Sequence, residues 1–353
     1  MKIAVDITPL VAKDTGHKVR GVGFYLEHLK KSLLDNFPEE HFHFFSKGER
    51  IPKDTDIVHY PYFEPFFLTQ PLLLNFPTVF TVHDLTPIIF KEHFPSGLKG
   101  DVKWKINKNI LKRAAAIITD SKCSQKDISR VVGVDSSKIH VAYLAAGEEF
   151  SIGSSNSDQK DTMRKKYGLP DKFVLYVGDV TWNKNLPRLV EAVIGTDITL
   201  VMVGKSLTQS DYVKDNIWNK DLAIVQDLVK KNKNIMTIGF VSSEDLVALY
   251  RMATALVMPS LYEGFGLPIL EAMACGTPVI TSKEGSLPEV AGDAALYIDA
   301  KSIESIKAGI IKVYSDPILQ KQLSVKGLDQ VGKFSWKQTA IETMSIYKAV
   351  AKT

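Results

Sequence analysis

At 353 residues, 45% hydrophobic and 24% charged, the chain has the composition of a soluble globular protein and the length for two domains of roughly 150 to 180 residues each. No stretch reaches about 18 unbroken apolar residues and the opening MKIAVDITPL lacks a signal-peptide layout, so a cytoplasmic protein is expected. A net charge of +4 without arginine-rich tracts argues against nucleic acid as a partner, and two distant cysteines, Cys123 and Cys275, predict free buried thiols rather than a disulfide or zinc site.

In chain order, Lys2 to Asp6 reads as a first strand and Phe24 to Leu34 as an amphipathic helix with Leu26, Leu29 and Leu33 on one face. Gly21 and Gly23 form a GxG between them. The third glycine of a dinucleotide fingerprint is missing, and the loop from Ile7 to Arg20 is too long for that motif's tight turn. Strands are expected at His41 to Phe45, Ile57 to Tyr60, Thr78 to Val82, Ala116 to Thr119 and Ile139 to Tyr143, an α/β order. His41 and His43 share a strand face but have no third metal ligand nearby. Asp54-Thr55-Asp56 has the spacing of a metal-holding pair, yet it directly precedes a strand and turn chemistry accounts for it. No metal site is expected.

His83 follows the Thr78 to Val82 run, at the C-terminal edge of a parallel strand, where open α/β sheets place their ligands. Asp84 reads as a cap or turn former. From Lys99 to Arg113 a basic helix puts Lys105, Lys108 and Lys112 on one face and Val102, Ile106 and Ile110 on another. Gly147 to Lys160 has the composition of an interdomain linker. Further strands are expected at Phe173 to Val177, Ile198 to Val203, Met236 to Gly239 and Ala255 to Met258, with a helix starting near Pro187.

The densest chemistry lies in SLYEGFGLPILEAMACGTPV, from Ser260 to Val279. A buried strand, a turn holding Gly264 and Gly266, and a short helix from Leu267 to Cys275 with Pro268 in its first turn make an anion site from backbone N–H groups and the helix dipole. Glu263 approaches from the loop, and Glu271 is expected in the helix's first turn, leaning back toward the same mouth. Ionised carboxylates only accept hydrogen bonds, so two of them beside a diphosphate site suit vicinal hydroxyls, as in a sugar nucleotide.

With Glu263 and Glu271 separated by seven intervening residues inside EGFGLPILEAMACGTPVI, followed by SLPEVAGDAALYID, the chain resembles retaining glycosyltransferases of family 4. That resemblance implies an α/β fold of GT-B type. Two Rossmann-like domains would face across a cleft: an acceptor domain at 1–155, a donor domain at 165–333, and a C-terminal helix at 334–353 crossing back to the first. It also implies site roles: Glu271 on the nucleotide ribose, Glu263 on the transferred sugar, and the backbone of Gly264, Phe265, Gly266 and Leu267 on sugar and diphosphate. Lys184, in the loop after the first strand of the second domain, matches the family's phosphate-binding lysine, and His83 in VFTVHDLTP its active-site histidine. Gly21 and Gly23 would approach the diphosphate or the acceptor. Many relatives carry an arginine where this chain has Asp179, so the phosphate grip rests on Lys184 and backbone amides, with Arg188 in reserve. Phe240 and Val241 would border the base.

The expected reaction moves a hexose from a donor such as GDP-mannose or UDP-glucose to a glycan or lipid-linked acceptor, with no cofactor and no metal. Relatives that elongate lipid-linked glycans touch the membrane through the N-terminal domain, which makes peripheral contact with an anionic inner membrane face a further expectation, carried by the basic helix. The competing readings are a sugar-nucleotide epimerase on the same scaffold and a non-catalytic nucleotide-sugar binding subunit.

Overall fold

The computed structural model describes residues 1–11, 21–153, 157–213 and 216–352. Most of the expected long loop after the first strand, including Arg20, and 154–156 of the expected linker lie outside them. The chain forms two compact units, Met1–Ala145 with Phe334–Thr353, and Ala146–Lys333.

The first unit is built on six parallel strands, β1 (Lys2–Asp6), β2 (His41–Phe45), β3 (Ile57–Tyr60), β4 (Thr78–Thr81), β5 (Ala116–Thr119) and β6 (Ile139–Val141), in the order β2-β1-β3-β4-β5-β6. Its helices are α1 (Thr8–Val11), α2 (Val22–Asn36), α3 (Thr86–Ile89), α4 (Gly97–Lys112) and α5 (Lys122–Val132). Leu26, Leu29 and Leu33 of α2 are fully buried, as their spacing predicts. The α4 reading needs correction. Val102 is 56% exposed, and the buried side of α4 carries Trp104, Asn107, Ile110 and Leu111. The reason is Asn107, whose Nδ2 donates to the carbonyls of Glu64, Pro65 and Phe67 and pins the loop between β3 and β4 on the helix. Asp54 pairs with Lys2, and Asp56 accepts the Lys2 amide. His41 and His43 are exposed.

The second unit contains α6 (Ser157–Tyr167), β7 (Val174–Val177), α7 (Leu186–Val193), β8 (Leu200–Val203), α8 (Lys220–Lys231), β9 (Ile235–Ile238), α9 (Ser243–Met252) and β10 (Ala255–Met258). It continues with α10 (Leu267–Ala274), β11 (Val279–Ser282), α11 (Leu287–Ala291), β12 (Ala295–Ile298), α12 (Ile303–Ser315) and α13 (Pro317–Val331). Ser157 to Lys160, expected as linker, form the first turn of α6. The strands are again all parallel, ordered β12-β11-β10-β7-β8-β9, the doubly wound dinucleotide-fold order. Strand order reverses between β7 and β10. The loops leaving those two strands therefore diverge to opposite faces, and a crevice opens between them.

The last helix, α14 (Trp336–Val350), belongs to the first unit and packs on α2. Ser335 caps it by accepting the Gln338 amide, and Thr339 Oγ1 meets the Tyr143 carbonyl at 2.5 Å. Cys275 is buried, whereas Cys123 is only half-buried.

Candidate functional site

The two loops at the strand-order reversal of the second unit carry the predicted side chains. The β7 loop runs through Lys184 to Asn185, which holds a left-handed φ of 61°, rare for a residue with a Cβ. Its amide Nδ2 offsets that strain by donating to Pro259 O at 2.9 Å and Ala300 O at 2.7 Å, which locks this loop to those after β10 and β12. Asn183 adds a donation to Tyr262 O and accepts the Leu261 amide through its own carbonyl. Arg188 is engaged on Asn185 Oδ1 at 2.8 Å.

This clamp brings Lys184 Nζ to 2.8 Å from both carboxylate oxygens of Glu263, 79 residues away in sequence. Ser260 Oγ donates to Glu263 Oε1 at 2.7 Å. Glu263 is 6% exposed, so its charge is compensated at close range by the ammonium and one hydroxyl. Removing Lys184 would leave a largely buried carboxylate uncompensated, at a cost of about 3–5 kcal/mol. Burial pushes the neighbouring Tyr176 hydroxyl far above the usual tyrosine range, and the Glu263 charge adds to that push.

Past Glu263 the chain turns through Gly264, Phe265 and Gly266 into α10. Gly266 takes a φ of 101°, and Ser286 Oγ lies 3.0 Å from Glu263 O and 2.8 Å from Phe265 O. A trans peptide points its N–H opposite its carbonyl, so the amides of Gly264 and Gly266 face away from Ser286. Gly285 makes this possible: a Cβ there would lie 2.5 Å from Glu263 O. Leu267 opens α10 with Pro268 at its start. Glu271 lies just past the first turn of α10 rather than within it, since that turn holds no acidic residue. Its side chain is buried, and its Oε2 accepts from Tyr250 Oη of α9 at 2.7 Å. Phe240, after β9, is 53% exposed and Val241 is buried. Asp179 meets Ser206 Oγ at 3.3 Å.

In the first unit, Gly21 precedes α2 with a φ of 67° and Gly23 is buried in its first turn. His83 leaves the end of β4 as Asp120 leaves β5, and the register pairing Thr81 with Ile118 sets the two at one sheet edge. His83 Nδ1 is 2.7 Å from Asp120 Oδ2. Burial works against a charged His83 ring, but Asp120 above all, with Asp84 and Glu64, outweighs it and holds the histidine above its ordinary value. Burial raises the Asp120 carboxyl in turn, partly offset by His83. Asp84 is a turn former, accepting the Thr86 amide at 2.8 Å.

Sequence reasoning missed Ser260, Tyr250, Asn185, Ser286 and Asp120. Asn185 carries a local signal, an asparagine just before a Leu-Pro helix start. Ser260 lies only three residues before Glu263, within the same loop; Tyr250, Ser286 and Asp120 meet their partners through strand order and register, which no local pattern displays.

Two doubly wound parallel sheets, the second with a basic residue and two buried carboxylates by its reversal point, have the two-domain architecture of the GT-B glycosyltransferases. The chain belongs to glycosyltransferase family 4: residues 10–145 match the family model Glycosyltransferase Family 4, and 159–329 match Glycosyl transferases group 1. It is 31% identical over 296 residues to the O-antigen chain mannosyltransferase B of Escherichia coli, covering 83% of this chain and 75% of that protein. It is 30% identical over 267 residues to the serotype-specific mannosyltransferase WbdA of Escherichia coli, covering 74% of this chain but only 32% of that longer protein. Among solved structures, sucrose-phosphate synthase from Thermosynechococcus elongatus superposes with a TM-score of 0.74 at 20% identity, over 99% of this chain and 98% of that one. The protein is thus a sugar-transferring enzyme. Among the described residues no helix is long and apolar enough to cross a membrane.

Proposed function

We propose that this enzyme is a retaining hexosyltransferase, moving a mannose- or glucose-type hexose from a nucleoside-diphosphate sugar to a hydroxyl of a glycan or lipid-linked acceptor, without a metal or other cofactor. The observation that carries the reading is the buried Lys184–Glu263–Ser260 cluster, with Glu271 nearby in sequence on α10, at the strand-order reversal of the second unit. Glu271 accepts from the ribose hydroxyls and Glu263 from those of the hexose. Lys184 is shared between Glu263 and the arriving diphosphate, with the Gly264–Leu267 backbone beside it. Gly21 and Gly23 belong to the loop that meets the diphosphate or the acceptor, and His83 positions the hexose and offsets developing charge.

The acceptor oxygen bonds to the anomeric carbon as the bond from that carbon to the diphosphate oxygen breaks. The acceptor proton passes to a diphosphate oxygen. Rate acceleration comes from orientation and from stabilising the departing diphosphate, with Lys184 as the cation. The names of the Escherichia coli relatives favour mannose, hence GDP-mannose over UDP-glucose. Exposed Phe67, Leu68, Leu72, Leu73, Leu98 and Val102 beside the lysines of α4 support peripheral contact with an anionic membrane at its cytoplasmic face.

The test is a thermal-shift panel of GDP, UDP, ADP and their sugar conjugates, with and without chelator, followed by product analysis. One nucleotide should stabilise the wild type by mass action, insensitive to chelator, and lose its effect in Glu271→Ala. Glycosylated acceptor should then accumulate. A converted donor sugar with no acceptor product would instead mean an epimerase, and binding without turnover a silent subunit.

A further inference from the structure

We propose that Asp120 is a positioning residue for the transfer, fixing which nitrogen of His83 meets the sugar; this rests on the part given to His83 above. An ionised carboxylate only accepts, so the 2.7 Å contact to Asp120 Oδ2 requires a hydrogen on His83 Nδ1. The tautomer is thereby set, and Nε2 is left as the working atom. That atom is buried and has no hydrogen-bond partner among the described residues, and the same is true of Asp120 Oδ1. Buried polar atoms are almost always paired, so an orphaned Nε2 beside a fixed Nδ1 marks the place of an absent hydroxyl-bearing ligand.

The ring cannot easily turn to present another atom. Tyr25 of α2 stands edge-on to it, centroids 4.8 Å apart at 88°, and Tyr25 Oη is itself held 3.1 Å from Thr81 Oγ1. The charged and titratable groups around the ring are Asp120 after β5, Asp84 beside it in sequence, Glu64 in the β3–β4 loop, His59 of β3 and Tyr25 of α2. His59 is neutral at ordinary pH, and burial lifts the Tyr25 hydroxyl out of the titratable range. The three carboxylates therefore favour the doubly protonated ring, whose Nε2–H donates to a sugar hydroxyl. Asp120 contributes both the tautomer and the largest share of that charge preference.

Asp120→Asn keeps an acceptor oxygen for Nδ1–H and removes the charge. In this variant the His83 titration, followed by nitrogen-15 NMR of the imidazoles, should move down by about one pH unit or more. The pH–rate profile should shift with it. At neutral pH, kcat should fall about tenfold or more with little change in the donor KM, while Asp120→Ala also loses the single tautomer. In the unliganded wild type the spectrum should show a hydrogen on Nδ1 at every pH near neutrality. A wild-type ring protonated only on Nε2, or an Asp120→Asn protein with unmoved titration and profile, overturns the proposal. Should Asp120→Asn not fold, the wild-type tautomer alone decides. If no sugar nucleotide supports turnover, the transferase reading fails, whereas the NMR arm still judges Asp120.

Discussion

His59 of β3 is fully buried, with its ring nitrogens 2.8 Å from Thr81 Oγ1 and 2.5 Å from Tyr347 Oη. Burial, helped by the nearby His83, lowers its pKa from 6.5 to about 3. Below pH 6.5 the unfolded chain therefore takes up a proton that the folded protein refuses. Stability contributed by a neutral His59 is complete above pH 6.5 and is lost as pH falls toward about 3, at about 1.4 kcal/mol per unit. His83 has the opposite sign, since its raised pKa gives stability that is present below 6.5 and lost as pH rises through the folded value. Comparing wild type with His59→Asn isolates the first effect from the other titrations. Urea unfolding at pH 7.5, 6 and 5 should show the variant less stable at the highest pH and the gap closing on acidification. A gap that stays constant would mean that His59 is charged in the folded protein, or that its protonation is not linked to folding.

Strands and helices differ in how much of their placement a sequence displays. β10 stands where its continuous apolar run puts it, because a strand buried on both faces needs no partner-specific signal. α4 was legible as a basic helix but not in its orientation. Its inward face is set by Asn107, a polar side chain that earns its burial by tying down three carbonyls of a loop some forty residues earlier. The consequence bears on the proposed membrane contact. With Asn107 turned in, Val102 is turned out, 56% exposed, and Lys103 lies 5.2 Å from the Phe67 ring centroid on the pinned loop. Arg113 adds a bond to Leu72 O, so the exposed apolar side chains of the loop are presented from an anchored backbone. Vesicles containing anionic lipid should retain the wild type in flotation, and Lys105→Glu/Lys108→Glu/Lys112→Glu together with Phe67→Ser should abolish retention, most clearly at low salt. Equal retention of variant and wild type would remove the membrane from the proposed function.

At the scale of the molecule, chain order and spatial order part company, and there the sequence is least informative. Glu263 and the glycines of its loop announce themselves because they lie within one turn, whereas the Lys184 pairing spans 79 residues and follows from β7 and β10 being neighbours. Likewise Tyr250 appears as one more apolar helix position until the fold brings its hydroxyl to Glu271. The two units also differ in what each needs to stand alone. The second is continuous, Ala146–Lys333, and holds all six strands of its sheet. The first is completed only by α14, whose Met344, Ile346 and Tyr347 are buried, large side chains of this kind being worth roughly 1.5–3 kcal/mol each. Without Tyr347, moreover, a buried nitrogen of His59 loses its partner. A fragment of residues 146–333 should therefore unfold cooperatively and be stabilised by the same nucleotide as the whole enzyme, while 1–145 should not fold. Joining 334–353 to 145 through a short linker should restore it, because Phe334 stacks edge-on to Tyr143 with ring centroids 5.7 Å apart and the two ends already meet. Near-ultraviolet circular dichroism and thermal melts of the three fragments decide the matter. A cooperative transition in 1–145 at the same temperature as in the fusion would show that α14 is an accessory to the first unit rather than part of its core.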